Sequence, residues 1–383
     1  MYRLDNEQTS IVAQVAAVAE QSIAPHAQRV DKDRAFPKES VAALGKAGLL
    51  GLTVPIAFGG LGQNLRTMAA ALEEVSQRCS STAMVYLMHL CGVASYAAAS
   101  EKTASYLKAA ARGEHLTTLA FSERGSRSHF WAPVSRAVAT NGSISLNALK
   151  SFVTSAGHAN GYVVSTLAPN ATQPVESTIY VVLAGDSGVS VSGAWEGLGM
   201  RGNASAPMTL DNVTVGDDRA LTATGKGLDL MLGVVLPAFQ VGSAAVALGI
   251  AEAAVRATTQ HLTRTRFDHL NSSLAELPTL RARLAQMRIE TDRARAHLVG
   301  VLDSLEAPGP STQLLVLEVK ASATEAAVEV TDLAMRTCGG AAFAGAHGLE
   351  RMYRDARAPI VMAPTTDQAY DFIGRALCGL EVF

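Results

Sequence analysis

The hydrophobic pattern of this chain changes period twice, and no other feature constrains its fold as much. Up to about residue 113, apolar residues recur at helical spacing. "DNEQTSIVAQVAAVAEQSIAPHAQRV" (5–30) does so until Pro25 interrupts it, and "RTMAAALEEVSQRCSSTAMVYLMHLCGVASYAAAS" (66–100) reads as two helices parted near Ser80-Ser81. From 115 to about 218 the segments become short, β-branched and often alternating: "LTTLAFS", "SISLNALKSFVTS", "GYVVSTLA", "STIYVVLA", "MTLDNVTV". Turn signals such as Asn141-Gly142 separate them. From about 226 helical spacing returns in four stretches that end with "TDQAYDFIGRAL" (366–377). This order predicts a multi-domain α+β protein. A helical N-terminal domain (1–113) precedes a middle β-sandwich or barrel of antiparallel strands (114–222) and a C-terminal four-helix bundle (223–383). The many Ala and Gly residues of the last region allow close helix–helix approach.

Composition narrows the function classes. A 383-residue chain that is 48% hydrophobic and 17% charged has ample core and surface to bury in an oligomer. A formal charge of −2 gives no field to attract nucleic acid or an anionic membrane, so neither is an expected partner. "MYRLDNEQTS" lacks a signal-peptide core, and charge or Gly interrupts every apolar run before the length of a membrane span, which suggests a cytoplasmic protein. Cys79, Cys91, Cys338 and Cys378 show no metal-ligand spacing, so no metal site is expected and buried reduced thiols are.

Two stretches of the β region carry candidate chemistry. "LAFSERGSRS" (119–128) runs from a strand into Ser and Gly, whose backbone N–H groups and hydroxyls can receive an anionic ring or a phosphate; alone it is better read as an ordinary turn. "KSFVTS" (150–155) alternates, which places Phe152 and Thr154 on one face; alone that is a threonine beside a core phenylalanine.

Order and spacing make these stretches specific. The whole chain resembles the acyl-CoA dehydrogenase superfamily. "AFSERGSRS" is similar to that family's "TEPGAGSD" flavin segment and "KSFVTSAG" to "KxWITNG", with Phe152 in place of Trp. "RTRF" (264–267) stands at "RxxFG", with Asp268 in place of Gly, and "RTCGGAAFAGAHGLERMYRDAR" (336–357) at "QxxGGxGYxxxxxxERxxRDAR". The resemblance implies FAD, with its ring contacted by Phe121, Ser122, Ser128, Phe152 and Thr154. The rest of the cofactor would be contacted by Arg264, Phe267, Arg336, Gly339, Gly340, Thr365 and Asp367. It further implies an acyl thioester on CoA or an acyl-carrier protein, bounded by Ser128, Phe239, Gln240 and Met362, with Arg375 near the carrier. The electron acceptor would be an electron-transfer flavoprotein or oxygen, and the assembly a homotetramer that shares FAD between subunits.

One position departs from the family. A glutamate there takes the substrate's α-proton while hydride leaves to the flavin. Counting from "RDAR", Ala363 stands at that glutamate, and the alternative position on the first bundle helix holds Phe239 beside Gln240. A methyl group cannot accept a proton. A positioned base contributes about 10²–10⁴-fold, so the gap is substantial. Three readings remain: a relocated base, with His89 in "MVYLMHLCG" the candidate against the plainer reading of a packed histidine; a reaction without α-proton abstraction, such as flavin-dependent monooxygenation; or a catalytically silent binding protein. The Arg351, Arg354, Arg357 series reads as a solvated or salt-bridged helix face.

Overall fold

A computed structural model describes residues 2–382 apart from 128, 141, 268, 270 and 346. The N-terminal region contains helices α1 (Asn6–Val18), α2 (Ala27–Lys32), α3 (Lys38–Lys46), α4 (Leu65–Ser76), α5 (Ser80–Ala97) and α6 (Ser100–Ala111). Asp5 opens α1 with a reciprocal capping box to Gln8. The break between α4 and α5 falls at 77–79, next to Ser80-Ser81.

Seven strands follow: β1 (Thr117–Ala120), β2 (Val138–Thr140), β3 (Ser143–Val153), β4 (Gly161–Leu167), β5 (Ser177–Leu183), β6 (Val189–Val191) and β7 (Ala206–Val215). They form two sheets, ordered β1-β4-β5 and β2-β3-β7-β6. The expectation of antiparallel strands needs one correction, because β1 and β4 pair in parallel. The β1-β4-β5 sheet is buried on both faces, and the period-2 rule shows how. Leu119, Val163, Ile179 and Val181 join the helical core, while their neighbours Ala120, Val164, Tyr180 and Val182 join a second core inside the β region. A sheet so placed reads as a near-continuous apolar run.

The C-terminal region holds α7 (Gly227–Leu230) and α8 (Leu236–Arg264), then the strand pair β8 (Arg266–Phe267) and β9 (Ser272–Ser273). After these come α9 (Pro278–Glu306), α10 (Thr312–Cys338), α11 (Gly340–Phe343), α12 (Leu349–Asp355), α13 (Ala358–Val361) and α14 (Thr366–Leu377). One sequence expectation is corrected here. The segment 227–264 is long and apolar enough to cross a membrane by length and composition, although 83% of its most apolar window is buried in the protein. The arginines of α9 are not all on an exposed face. Arg295 is buried and pairs with Glu73 at 2.7 Å and Glu252 at 2.8 Å. The three regions are tied together at Asp355, whose carboxylate accepts from Met200 N at 2.6 Å and from Ser80 Oγ, and at Arg354, which pairs with Asp31 at 2.6 Å.

Candidate active site

The site is assembled first on β3. Its pairing with β7 shifts register between Lys150 and Val153, and Phe152 sits in that irregularity at φ 56°. Strict alternation, which would give Phe152 and Thr154 one face, is therefore broken. Phe152 stands 68% exposed with Trp195 edge-on at 6.4 Å, whereas Thr154 is 4% exposed and shares a 2.9 Å hydrogen bond with Ser205. A hydroxyl has one donor and two lone pairs, so Thr154 keeps bonding capacity beyond that contact.

The segment before β2 is fastened to this strand by a buried ion pair. Glu123 and Lys150 meet at 2.5 Å with both side chains 1% exposed. Glu123 also accepts from the N–H groups of Val134 and Ser135 and from the Ser135 hydroxyl, and Lys150 donates to Ser165 O. Burial works to raise the Glu123 carboxyl, but Lys150 and the Ser135 bonds outweigh it and hold the group below the usual carboxylate range. Burial lowers the Lys150 ammonium, and Glu123 opposes that. Ser122 is fixed alongside, its carbonyl accepting from Ser151 N at 2.9 Å. The Phe121 side chain is buried in the helical core. Ser128 and Asp268 lie outside the described residues.

The C-terminal motif closes on the same segment. Trp131 meets Phe372 of α14 edge-on at 5.5 Å. Thr365 caps α14 by accepting from Gln368 N, and Asp367 is exposed in its first turn. Arg375 donates to Glu381 O and so ties down the tail. Ala363 and Met362 are partly buried against the core. Beneath them lies Lys320 of α10, 1% exposed, which donates to Met362 O at 2.9 Å and Pro364 O at 2.7 Å and thus straddles Ala363. Burial pushes its ammonium down to about 7. One turn earlier on α10, Leu317 O receives a long 3.5 Å contact from Gln240 Nε2 of α8. Gln240 is fully buried, and its Oε1 has no hydrogen-bond partner among the described residues. Phe239 beside it is partly buried.

His89 is a packed histidine. It is fully buried, its Nε2 lies 2.8 Å from Leu50 O and its Nδ1 accepts from Thr117 N at 3.2 Å. A carbonyl can only accept and an N–H can only donate, so the tautomer is fixed with Nε2 protonated and both nitrogens engaged. Burial pulls the imidazole down to about 4. No lone pair remains for a substrate proton.

The remaining residues gather at the far end of the bundle. Arg264 closes α8, 24 residues beyond Gln240 in one helix, or about 36 Å. It lines a cavity of about 180 Å³. Phe267 is in β8 and Arg336 is exposed, 3.8 Å from Asp332. Gly339 adopts φ +55°, and a Cβ added at Gly339 or Gly340 would meet nothing within 4 Å. That open, glycine-only backbone beside a cation suits a phosphate-bearing ligand, and the exposed ring on the β3 bulge suits a flat one. The residues present fit a flavin dinucleotide.

Family comparison agrees with this geometry. Models of the N-terminal, middle and C-terminal domains of acyl-CoA dehydrogenase match residues 5–114, 118–213 and 225–378. The chain belongs to the acyl-CoA dehydrogenase superfamily. Members are FAD-binding oxidoreductases. Among curated relatives of this superfamily, cyclohex-1-ene-1-carbonyl-CoA dehydrogenase of Syntrophus aciditrophicus is 28% identical, covering 98% of this chain and 91% of its own length. Among solved folds, butyryl-CoA dehydrogenase from Megasphaera elsdenii superposes with a TM-score of 0.92 at 20% identity, over 98% of this chain and 99% of that one. The prolyl acyl carrier protein oxidase AnaB gives 0.88 at 20%, with the same coverage of each chain.

Sequence reasoning missed Lys320 and the Glu123–Lys150 pair. The signal for Lys320 was a lone lysine on the apolar face of "LLVLEVKASATEAA". For the pair it was a lone ammonium inside β3, a strand segment otherwise free of charge, with a carboxylate just past the end of β1.

Proposed function

We propose that the protein is an FAD-dependent oxidoreductase that acts on an acyl thioester, carried by CoA or an acyl-carrier protein, at its Cα–Cβ bond, without a carboxylate at the family's base position. The observation that carries the reading is the joint one at β3 and α14: an exposed aromatic on the β3 bulge, held by the Glu123–Lys150 pair, with the 121–131 segment docked on the helix that follows Ala363.

When bound, FAD supplies a hydride acceptor. The chain's own residues do the rest. Phe152 offers the ring a face, and Ser122 and Thr154 offer hydroxyls at its edge. Arg264, Gly339 and Gly340 lie too far along the helices to reach the same cofactor as Ala363, which supports a homotetramer in which one subunit's α8 and α10 ends hold the dinucleotide half of a neighbour's FAD. Lys320 holds the backbone on either side of Ala363, so that the methyl group lies where the family's glutamate would reach the substrate. Phe239 and Met362 supply apolar walls, Gln240 a buried amide, and Arg375 a cation near the carrier. Electrons leave to an electron-transfer flavoprotein or to oxygen. The proposed folding units are 1–113, 114–222 and 223–383.

A second reading, flavin-dependent monooxygenation, is favoured by one observation: Ala363, Phe239 and Gln240 offer no base, and His89 has both nitrogens engaged. Anaerobic addition of acyl thioesters of graded chain length separates the two. The expected result is bleaching of the oxidised flavin band by at least one of them. No bleaching at any length, with a flavin peroxide spectrum when the reduced protein meets oxygen, overturns the dehydrogenase reading.

A further inference from the structure

Between Glu123 and Glu176 the sequence contains no Asp or Glu, while Arg124, Arg127, Arg136 and Lys150 all fall in that span. Both flanking carboxylates are already engaged. Glu123 is buried on Lys150, and Glu176 accepts from the N–H groups of Thr172 and Gln173. With Lys150 held in that buried pair, the excess charge is that of the three arginines, and all three are exposed. Among the described residues no carboxylate pairs with any of them. Arg136 is fixed in place, its Nη1 donating to Ala171 O at 2.9 Å and to Ala168 O at 3.2 Å. A formal charge of −2 for the whole chain conceals this local excess.

Backbone contacts bring these residues together around the buried pair. Glu123 bridges to Lys150 of β3, and Arg124 N donates to Leu149 O at 3.1 Å. Alternation then turns Glu123 and Lys150 inward and Arg124 and Leu149 outward. Arg127 belongs to the same turn as Arg124. The N–H groups of Val134 and Ser135 donate to the Glu123 carboxylate, which sets the 134–136 segment against the same pair. Among the cations stand Val134, Val138 and Leu149, 55%, 51% and 53% exposed. Thr209 of β7 lies across from Leu149, and the one carboxylate of β7, Asp211, accepts from Asn212 Nδ2 at 2.9 Å. Arginines without partners, interleaved with exposed aliphatic side chains, have the composition of a protein-binding patch. A nucleotide's phosphates would answer the arginines and leave the aliphatic groups in water. An acidic protein surface with an apolar centre answers both. The patch also adjoins the site, because Trp131 of the same segment meets Phe372 of α14 at 5.5 Å. We propose that Arg124, Arg127, Arg136, Val134, Val138 and Leu149 form the docking surface for an acidic acyl-carrier protein, which delivers its thioester on a pantetheine arm. This rests on the reading of the substrate as an acyl thioester, and it selects the protein carrier over CoA.

The test is calorimetric and needs no turnover. The purified holoprotein is titrated with an acidic acyl-carrier protein that bears its phosphopantetheine arm, and separately with CoA. The dissociation constant of the carrier protein is expected to rise about tenfold between about 50 mM and 300 mM salt, because exposed charges carry the contact. R124E/R127E should weaken it by about tenfold or more at the lower salt. V134S/V138S should weaken it by about fivefold at either salt, since apolar contact is not screened. These side chains are exposed, so far-UV circular dichroism should not change, and CoA affinity should stay within about twofold of the parent. Equal loss of CoA affinity in R124E/R127E would make the arginines nucleotide contacts and overturn the proposal. Absence of carrier binding, or binding that both variants leave unchanged, overturns it as well. So does equally strong, arginine-dependent retention on phosphatidylglycerol vesicles, which would make the patch a membrane contact. The thioester reading fails separately, if no thioester on either carrier bleaches the flavin. Arginine-dependent binding of the carrier protein would still sustain the docking surface in that case.

Discussion

Two regions a few strands and helices apart treat polar groups in opposite ways. Around Phe152 charge is buried and answered: Glu123 receives Lys150, two backbone N–H groups and a hydroxyl. Around Ala363 charge is withdrawn. On the proposed alignment a methyl stands at the family's glutamate, Gln240 is a neutral amide, and Lys320 is met by carbonyls and pushed down to about 7 by burial. If the proposed function holds, the difference teaches that the cofactor cradle and the proton-removing apparatus are separable. The cradle can be kept while the neighbouring pocket loses its base, because the cradle's electrostatics close within β3 and the segment before β2. The pocket's depended on a single side chain of the 362–364 loop.

The strongest way to break this comparison is to open the cradle's ion pair. Lys150→Met leaves the Glu123 carboxylate buried without a counter-charge, which costs about 3–5 kcal/mol. Denaturant unfolding should show that loss, and the purified variant should be depleted of flavin. Adding Glu123→Leu should recover much of the stability, since removing both charges is far cheaper than stranding one. A Lys150→Met protein that is as stable and as yellow as the parent would show that the cradle does not rest on this pair.

The next effect is a gain. Ala363→Glu returns a carboxylate to the loop that Lys320 holds. Anaerobic flavin reduction by an acyl thioester should accelerate by about 10²-fold, the lower end of what a positioned base supplies and about 2.7 kcal/mol of barrier. The carboxylate should also be readily ionised there, with an ammonium bonded to the carbonyls on each side. Unchanged rates would mean that the pocket has been rebuilt for other chemistry, and the withdrawal of charge around Ala363 would then be a consequence of that change.

The parts of this picture visible in the sequence share a physical basis. Element types were legible because periodicity reports burial on one face, and α14 begins and ends where "TDQAYDFIGRAL" does. The β1-β4-β5 sheet showed as β-rich, but its parallel pair did not, since a segment buried on both faces carries no alternation from which to read direction. Phe152 and Thr154 were legible as a pair and wrongly placed on one face, because a bulge leaves no trace in residue type. Arg264, Gly339 and Gly340 could be named from motif spacing. That Arg264 stands about 36 Å from Gln240 along α8 needed the helix itself. His89 illustrates the limit most plainly. A lone histidine in an apolar helix looks the same in sequence whether its nitrogens face a substrate or a backbone, and here both face backbone.

The smallest expected effect belongs to that residue, and it sharpens the comparison most. In His89→Gln the side-chain amide can donate to Leu50 O and its oxygen can accept from Thr117 N, reproducing both bonds of the imidazole. If the pocket has no relocated base on α5, turnover should stay within about threefold of the parent, and stability should fall by no more than about 1–2 kcal/mol, the range for one imperfectly remade buried hydrogen bond. The pH profile adds a second criterion. An imidazole held neutral down to about 4 contributes no inflection to activity between pH 5 and 8, so parent and variant profiles should superpose there. A fall of 10²–10⁴-fold in the variant, joined by the loss of an inflection that the parent shows, would mean that the ring turns toward substrate during turnover. The cradle and the catalytic pocket would then both be furnished with polar groups, and the contrast between them would disappear.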